Sequence, residues 1–287
     1  MLKIFFTGAT GFIGQALLQE LIKNQDNFFI CPVRDEKKAT IKSDHIKYIP
    51  ADPDNDFSEH LGYCDYVLHL AAELDSKNPS IDKINIGFTE SLMAQCDKNK
   101  LNKFVFFSSI TAQRKQGTKY SETKKEAEKL LKNSGLPYLI IRPTWVIGKN
   151  SRSFKNFLQY LKKFPIIPVI GSGKTLTQPI LIDDLVAILS QLIFNENEIN
   201  KTFEIGGEKP ISYNDFISLI LKKSKIKKAR IHLPIFLCKL IAKSSNILSF
   251  DAISDFENDT KVNNGYLSEK FGFKPKSHAE IISDLIE

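Results

Sequence analysis

Residues 2–14 read Leu2-Lys3-Ile4-Phe5-Phe6-Thr7-Gly8-Ala9-Thr10-Gly11-Phe12-Ile13-Gly14, and this stretch decides the fold. Leu2 to Thr7 is a short apolar run, after which Ile13, Leu17 and Leu21 recur at four-residue spacing. The order is therefore strand, tight glycine turn, amphipathic helix. A helix that starts directly after a strand presents free backbone N–H groups and the positive end of its dipole, which suits the diphosphate of a dinucleotide. The glycines take separate parts: Gly8 permits the sharp turn, Gly11 lets the backbone approach the phosphates, and Gly14 lets helix and strand pack closely. A glycine-rich turn without a ligand is the competing reading, and the position directly after a strand favours the cradle.

Outward from this turn, short apolar strands are expected at Phe28 to Val33, Ile46 to Ile49, Tyr66 to Leu70, Phe104 to Phe107 and Tyr138 to Ile141. Helical stretches intervene at about 82–99 and 120–133. This alternation predicts an α/β fold, a doubly wound, mostly parallel sheet covered on both faces, with ligands beyond the carboxyl ends of its strands. After about residue 147 the alternation weakens. A basic amphipathic stretch (Lys149 to Lys163), a Pro/Gly-rich loop (Pro165 to Gly173), a helix at about 182–194, a strand near Phe203 to Ile205 and helices near 212–223 and 235–248 follow. The expected organisation is a dinucleotide-binding domain over 1–148, to which elements near 178–206 return, and a smaller α/β carboxyl-terminal lobe over 149–287.

Composition narrows the function classes. The 287 residues are 42% hydrophobic, which excludes a disordered chain, and the length supports a core without disulfides or metal. Net charge is +7, yet only five of the 40 cations are arginine (Arg34, Arg114, Arg142, Arg152, Arg230), so a lysine-coated surface is favoured over a nucleic-acid partner. Cys31, Cys64, Cys96 and Cys238 lie far apart with no CxxC pair, and the five histidines share no metal-ligand spacing, so neither a metal site nor a disulfide framework is expected. The chain goes from Met1 straight into a strand with no leader pattern, and no apolar run approaches a membrane span. A cytoplasmic protein acting on a small molecule as monomer or homodimer is the expectation, with peripheral membrane contact left open.

Thr7-Gly8-Ala9-Thr10-Gly11-Phe12-Ile13-Gly14 resembles the fingerprint of the extended and atypical short-chain dehydrogenases/reductases, which use GxxGxxG. Further segments resemble that family in order: Leu68-His69-Leu70-Ala71-Ala72, Phe106-Phe107-Ser108-Ser109, the YxxxK pair Tyr120 and Lys124, and Arg142-Pro143-Thr144-Trp145-Val146-Ile147-Gly148. Gln178-Pro179-Ile180 to Asp183-Asp184 and Phe203-Glu204-Ile205-Gly206-Gly207 extend the match to about residue 207. The resemblance implies a Rossmann domain, a carboxyl-terminal substrate lobe, an active site in the cleft between them and NAD(P)-dependent oxidoreduction. It implies cofactor contacts from Gly8, Thr10, Gly11, Phe12, Ile13, Gly14, Ala71 and Ala72, and nicotinamide contacts from Pro143, Thr144 and Val146. By the same resemblance Tyr120 is the general acid/base, its phenol lowered by the Lys124 ammonium, Lys124 also bonds the ribose, and Ser109 holds the substrate oxygen, with Thr111 the fallback. A structural Tyr/Lys pair on a surface helix is the competing view.

The segment between Ser109 and Tyr120, with Gln113, Arg114, Lys115 and Gln116, is short for an extended member. It resembles the atypical branch that includes the nucleotide-binding accessory subunit of respiratory complex I, some members of which bind NADPH without turnover. Two further function classes therefore stay open: a catalytically silent NADP-binding accessory or assembly protein, and a sugar-nucleotide epimerase or dehydratase. For the dinucleotide, Val33-Arg34-Asp35-Glu36-Lys37-Lys38 resembles the VRDxxxK region of NADPH-dependent plant-type reductases, so NADP is favoured over NAD, with Arg34 and Lys38 as candidate 2′-phosphate partners. Asp52 aligns with the family's adenine-contacting acid, or is a turn aspartate. Trp145 lines a pocket or a core, and His69 ends a strand near the cofactor. Six cations between Lys222 and Arg230 precede the apolar helix from Ile235, with packing of that helix on the small lobe as the default.

Overall fold

The computed structural model describes residues 1–52, 54–115, 117–244 and 250–286. Gln116 and residues 245–248 of the expected last apolar helix lie outside the described residues. In chain order the first elements are β1 (Leu2–Thr7), α1 (Phe12–Leu21), β2 (Asn27–Val33), β3 (Ile46–Pro50), α2 (Ser58–Leu61) and β4 (Tyr66–His69). A π-wound segment (Lys83–Gly87) runs into α3 (Phe88–Ala94), followed by β5 (Lys103–Phe107), α4 (Lys119–Asn133) and β6 (Tyr138–Pro143). Then come β7 (Val146–Ile147), α5 (Arg152–Lys163), β8 (Ile167–Ile170), β9 (Leu176–Thr177), β10 (Ile180–Leu181), α6 (Ile182–Leu192) and β11 (Lys201–Ile205). The last are β12 (Ile211–Ser212), α7 (Tyr213–Lys223), β13 (Arg230–Leu233), α8 (Ile235–Ser244), α9 (Phe250–Glu257), α10 (Gly265–Phe271) and α11 (His278–Ile286).

The strands β11-β6-β5-β4-β1-β2-β3 form one seven-stranded sheet, and the pairs joining β3 through β6 are parallel. Strand order runs outward in both directions from the β1/β4 pair, so the crevice beyond these two strands is the point where such a sheet accepts a ligand. The doubly wound α/β fold expected from the alternation is the one observed. Residues 4–7 of β1 and all of β4 and β5 are buried, as strands covered on both faces must be. Phe5, Val67, Phe104, Phe106 and Ile140 of the sheet pack with Phe88 and Leu92 of α3 and Ala127 and Leu131 of α4. Register puts Thr7 beside His69, His69 beside Phe106 and Phe106 beside Ile140, a row across the carboxyl ends of four strands.

By its internal contacts the chain divides into two compact units, Met1–Arg142 with Val186–Phe203 and Pro143–Leu185 with Glu204–Glu287. The core of the second unit joins Ile147, Phe154, Leu161, Ile167 and Val169 to Phe216, Ile217, Ile220, Ile281 and Ile282. Trp145 belongs to this core: its ring meets Phe154, Phe157 and Phe216 with centroids 6.2, 5.4 and 5.9 Å away, and Nε1 donates to Ser153 Oγ at 3.0 Å. The basic stretch ending at Lys163 is the solvated face of α5, whose Phe154 and Leu161 are buried while Arg152, Lys155, Lys162 and Lys163 are exposed.

Two local expectations are corrected. Residues 165–173 are not a continuous loop, because Ile167–Ile170 pairs in parallel with Arg230–Leu233. That partner lies some sixty residues away and leaves no local mark in the sequence. The helix expected over 82–99 ends at Ala94, and Lys100 N and Leu101 N donate to Asp97 O, closing a turn at Asp97-Lys98-Asn99-Lys100. Asp and Asn bond nearby backbone in turns more readily than they extend a helix.

Candidate active site

The glycine turn is shaped for close approach. Gly8 has φ +74° and sits so near β4 that a Cβ would lie 2.6 Å from Ala71 N, while a Cβ on Gly14 would overlap the Gly8 carbonyl oxygen. Gly11 differs. It is exposed, and a Cβ there would meet only Gly8 O, at a tight 3.2 Å that a shift of a few tenths of an ångström would relieve, so packing restricts it far less than Gly8 or Gly14. As N-cap of α1 it offers no side-chain acceptor to the first-turn amides, in contrast to Thr118, Ser151 and Ser212 at the starts of α4, α5 and α7. A helix start left open in this way, beside a bare backbone, fits a diphosphate. Thr10, Phe12 and Ile13 flank the turn, half-buried, and Ala71 N donates to Thr7 Oγ1 at 3.2 Å, tying the end of β4 to the same turn.

In the loop after β2, Asp35 serves its own turn and Arg34 stands apart from it. Asp35 accepts Lys37 N at 3.1 Å and caps the short 3-10 turn Glu36–Lys38, and Lys38 Nζ stands 3.9 Å from its carboxylate. Arg34 is exposed and its side chain has no partner among the described residues. Gln15 Nε2 donates to Lys38 O at 3.4 Å, which holds this loop beside α1. Asp52 accepts Asp54 N at 3.0 Å and so closes a turn of its own, exposed to solvent.

The helix α4 carries Tyr120 and Lys124 one turn apart, with Ala127 and Leu131 continuing the buried stripe. Lys124 is 1% exposed, its Nζ donates to Phe107 O at 2.8 Å at the end of β5 and lies 4.6 Å from the Phe106 ring centroid. Burial pushes this amine down to about 7 against a weaker upward pull from Glu128. Tyr120 is half-buried and its hydroxyl has no hydrogen-bond partner among the described residues. Burial raises its pKa above the usual phenol value, while the Lys124 amine is turned to the Phe107 carbonyl. Ser109 Oγ accepts both Thr111 N at 3.2 Å and Thr111 Oγ1 at 2.9 Å. With two bonds accepted, Ser109 has its own proton left to donate, and the Thr111 hydroxyl is committed to it.

Pro143, at the end of β6, Thr144 and Val146 begin the second unit. Thr144 N donates to Ile205 O at 2.9 Å and its Oγ1 to Gln178 O at 2.5 Å, while Val146 pairs with Ile180. Gln178 is buried and is bonded to Gly207 O, Val262 O and Val262 N, which fixes the segment that Thr144 leans on.

Several functional neighbours were not foreseen from sequence. Glu128, one turn beyond Lys124, accepts Ser108 Oγ at 2.5 Å and a bidentate Arg142 pair at 2.8 and 2.6 Å, clamping α4 to the ends of β5 and β6. Its place on the Tyr120, Lys124, Glu128 stripe was the available signal. Thr7, Asn85, Thr89 and Thr123 are buried polar residues around His69, for which burial pushes the imidazole down to about 3 with help from the Lys124 charge. No helix among the described residues is long and apolar enough to cross a membrane.

Comparison with known proteins agrees with this geometry. The NAD(P)H-binding family profile matches residues 8–161. The chain is 23% identical to the Arabidopsis thaliana mitochondrial NADH dehydrogenase [ubiquinone] 1 alpha subcomplex subunit 9, over 91% of this chain and 71% of that one. It is 24% identical to the UDP-glucose 4-epimerase of Vibrio cholerae, over 95% of this chain and 90% of the relative. Its fold superposes on the UDP-glucuronic acid 4-epimerase of Bacillus cereus, solved with UDP-glucuronic acid and NAD, with a TM-score of 0.79, 22% identity and 99% coverage of both chains. A profile covering more than half of the residues, laid over the glycine turn of a doubly wound sheet, shows that the chain belongs to the NAD(P)H-binding family.

Proposed function

We propose that the protein is an NAD(P)(H)-dependent oxidoreductase of the short-chain dehydrogenase/reductase type acting on a carbon that bears a hydroxyl or carbonyl oxygen. Residues 1–148, with elements near 178–206, are read as the dinucleotide-binding domain and 149–287 as the substrate lobe. The observation that carries the reading is Lys124, a buried lysine that forms no ion pair among the described residues, its Nζ on the last carbonyl of β5, one turn from an unpartnered tyrosine hydroxyl. Burying an ammonium without a carboxylate costs several kcal/mol, and a helix position with only a structural duty is better filled by Leu or Met.

When bound, the dinucleotide supplies the hydride donor or acceptor. The residues of the chain handle the oxygen. Ser109 donates its free proton to that oxygen and orients it. Tyr120, held as a phenol by burial, gives the proton that a carbonyl oxygen needs on reduction, and takes it back in the reverse direction. Lys124 stabilises the phenolate so formed and offers its remaining N–H groups to a ribose hydroxyl. The uncapped first turn of α1 holds the diphosphate, and Arg34 with Lys38 is assigned the 2′-phosphate of NADP, since Asp35 is occupied in capping its own turn.

Similarity over nearly the whole chain to a UDP-glucose 4-epimerase favours a second form of the same chemistry, in which hydride leaves a sugar carbon and returns to its other face. Calorimetric titration with NADPH and NADH, followed by assays on carbonyl compounds and UDP-sugars with the wild type and Tyr120→Phe, separates the readings. Reduction consumes NAD(P)H; epimerisation leaves its redox state unchanged. Both are expected to fall at least ~100-fold in Tyr120→Phe with dinucleotide affinity retained. Binding without turnover on either panel points instead to the accessory role of the complex I relatives.

A further inference from the structure

Thr7, His69, Asn85, Thr89 and Thr123 come from four stretches of the first unit, Asn85 and Thr89 being one helical turn apart, and none is more than 1% exposed. Ala71 N donates to Thr7 Oγ1 at 3.2 Å, and Thr7 Oγ1 lies 2.7 Å from His69 Nδ1. On the other side of the ring His69 Nε2 lies 2.8 Å from Thr89 Oγ1, which donates to Asn85 O at 2.8 Å. Asn85 Nδ2 donates to Thr123 Oγ1 at 3.0 Å, and Thr123 Oγ1 donates to Tyr120 O at 2.8 Å. Each threonine hydroxyl has one proton. Thr89 has spent its proton on Asn85 O, so Nε2 must be the donor to Thr89, and Nδ1 must accept from Thr7. For a neutral ring this is the Nε2–H tautomer; the bonds then run one way from the Ala71 amide to the main-chain carbonyl of Asn85, and a second run leaves the side-chain amide of the same Asn85 for the carbonyl of Tyr120.

We propose that this chain of hydrogen bonds sets the register between the glycine turn and the catalytic helix, with His69 as its positioning residue. The proposal rests on the reading of α4 as the catalytic helix. Both ends of the chain fall at the site: Thr7 precedes Gly8 and holds the Ala71 amide that Gly8 crowds, and the far end is the backbone of the residue that carries the phenol. Asn85 reaches both Thr123 and the backbone of Glu73, whose N–H donates to Asn85 Oδ1 at 2.7 Å, from within the π-wound segment, a local winding frequent at functional sites. A sheet-helix interface needs none of this polarity for stability, since apolar groups of the same shape would pack there without any desolvated donor or acceptor. A directional polar chain instead permits one arrangement of its members.

Two measurements test the proposal. Two-bond proton–nitrogen spectra, with the His69 ring assigned by its loss in His69→Gln, are expected to show that ring neutral and Nε2-protonated from pH 7.5 to 5; an Nδ1–H form or an imidazolium at His69 at pH 5 overturns it. NADPH and NADH affinities are then compared in His69→Gln, His69→Phe, Thr7→Val, Thr123→Val and the Thr7→Val/Thr123→Val pair. His69→Gln, which keeps one donor and one acceptor, is expected within about threefold of wild type, and His69→Phe at least about tenfold weaker. Thr7 and Thr123 share no hydrogen bond, so independent sites would give multiplying losses, whereas the chain predicts that the pair departs from that product by about threefold or more. Multiplying losses, or wild-type affinity in His69→Phe, refute it. Should His69→Phe not fold, the Gln variant and the threonine pair decide. A wild type that binds neither dinucleotide refutes the functional reading alone, and the ring spectrum with the threonine pair read by thermal unfolding then judges the chain.

Discussion

Replacing Lys124 by methionine is expected to make the protein more stable at neutral and acidic pH while removing activity. Burial moves the amine from 10.5 to about 7. Across that window the unfolded chain binds a proton that the folded chain does not, so the stability of the wild type rises with pH by up to about 1.4 kcal/mol per unit, roughly 5 kcal/mol over the whole range. Below pH 7 both states carry the ammonium and the folded state bears the full desolvation. Methionine fills the same volume without that burden, against the loss of a charged hydrogen bond to Phe107 O of about 1.5–3 kcal/mol. The net expectation is that Lys124→Met is about 2 kcal/mol more stable at pH 6 and that the wild type overtakes it between pH 8 and 9. Urea unfolding of both proteins at pH 6, 7.5, 9 and 10 measures the difference, in which groups common to both, such as Lys103, cancel. A difference that stays flat with pH, with methionine the less stable throughout, would refute the claim that this ammonium is desolvated and kept for function.

Gly11→Ala is expected to cost far less stability than Gly14→Ala, since its Cβ meets only Gly8 O at a tight 3.2 Å, yet to weaken dinucleotide binding at least ~10-fold, whereas Gly14→Ala, which overlaps that same oxygen, should lose about 3 kcal/mol or more of stability. Thermal unfolding and calorimetry on the two variants check this contrast, and equal behaviour would contradict it. Arg34→Ala should weaken NADPH by about tenfold and leave NADH within about twofold, as read by competitive titration. Glu128→Ala removes the carboxylate that accepts both Arg142 bonds and the Ser108 hydroxyl, so a loss of about 3–5 kcal/mol is expected by denaturant unfolding.

Much of this site could be read before any fold was known. The glycine turn was legible because its glycines answer to local constraints, a left-handed φ at Gly8 and a helix starting directly after a strand, and both are written within seven residues. Tyr120 and Lys124 were legible because four residues make one helical turn. Glu128 was not, because its meaning lies in Ser108 and Arg142, 20 and 14 residues away. The pairing of β8 with β13 was invisible for the same reason.

The order of strands and helices, the glycine turn after the first strand and the spacing of phenol and amine were determined by sequence alone, through hydrophobic period and the stereochemistry of glycine. The state of the groups was decided only by tertiary structure: a lysine pushed down by burial, a phenol pushed up, and a buried histidine pushed down between threonines 62 and 20 residues distant. Desolvation and hydrogen-bond direction depend on which side chains the folded sheet brings within about 3 Å, and no stretch of sequence contains that information.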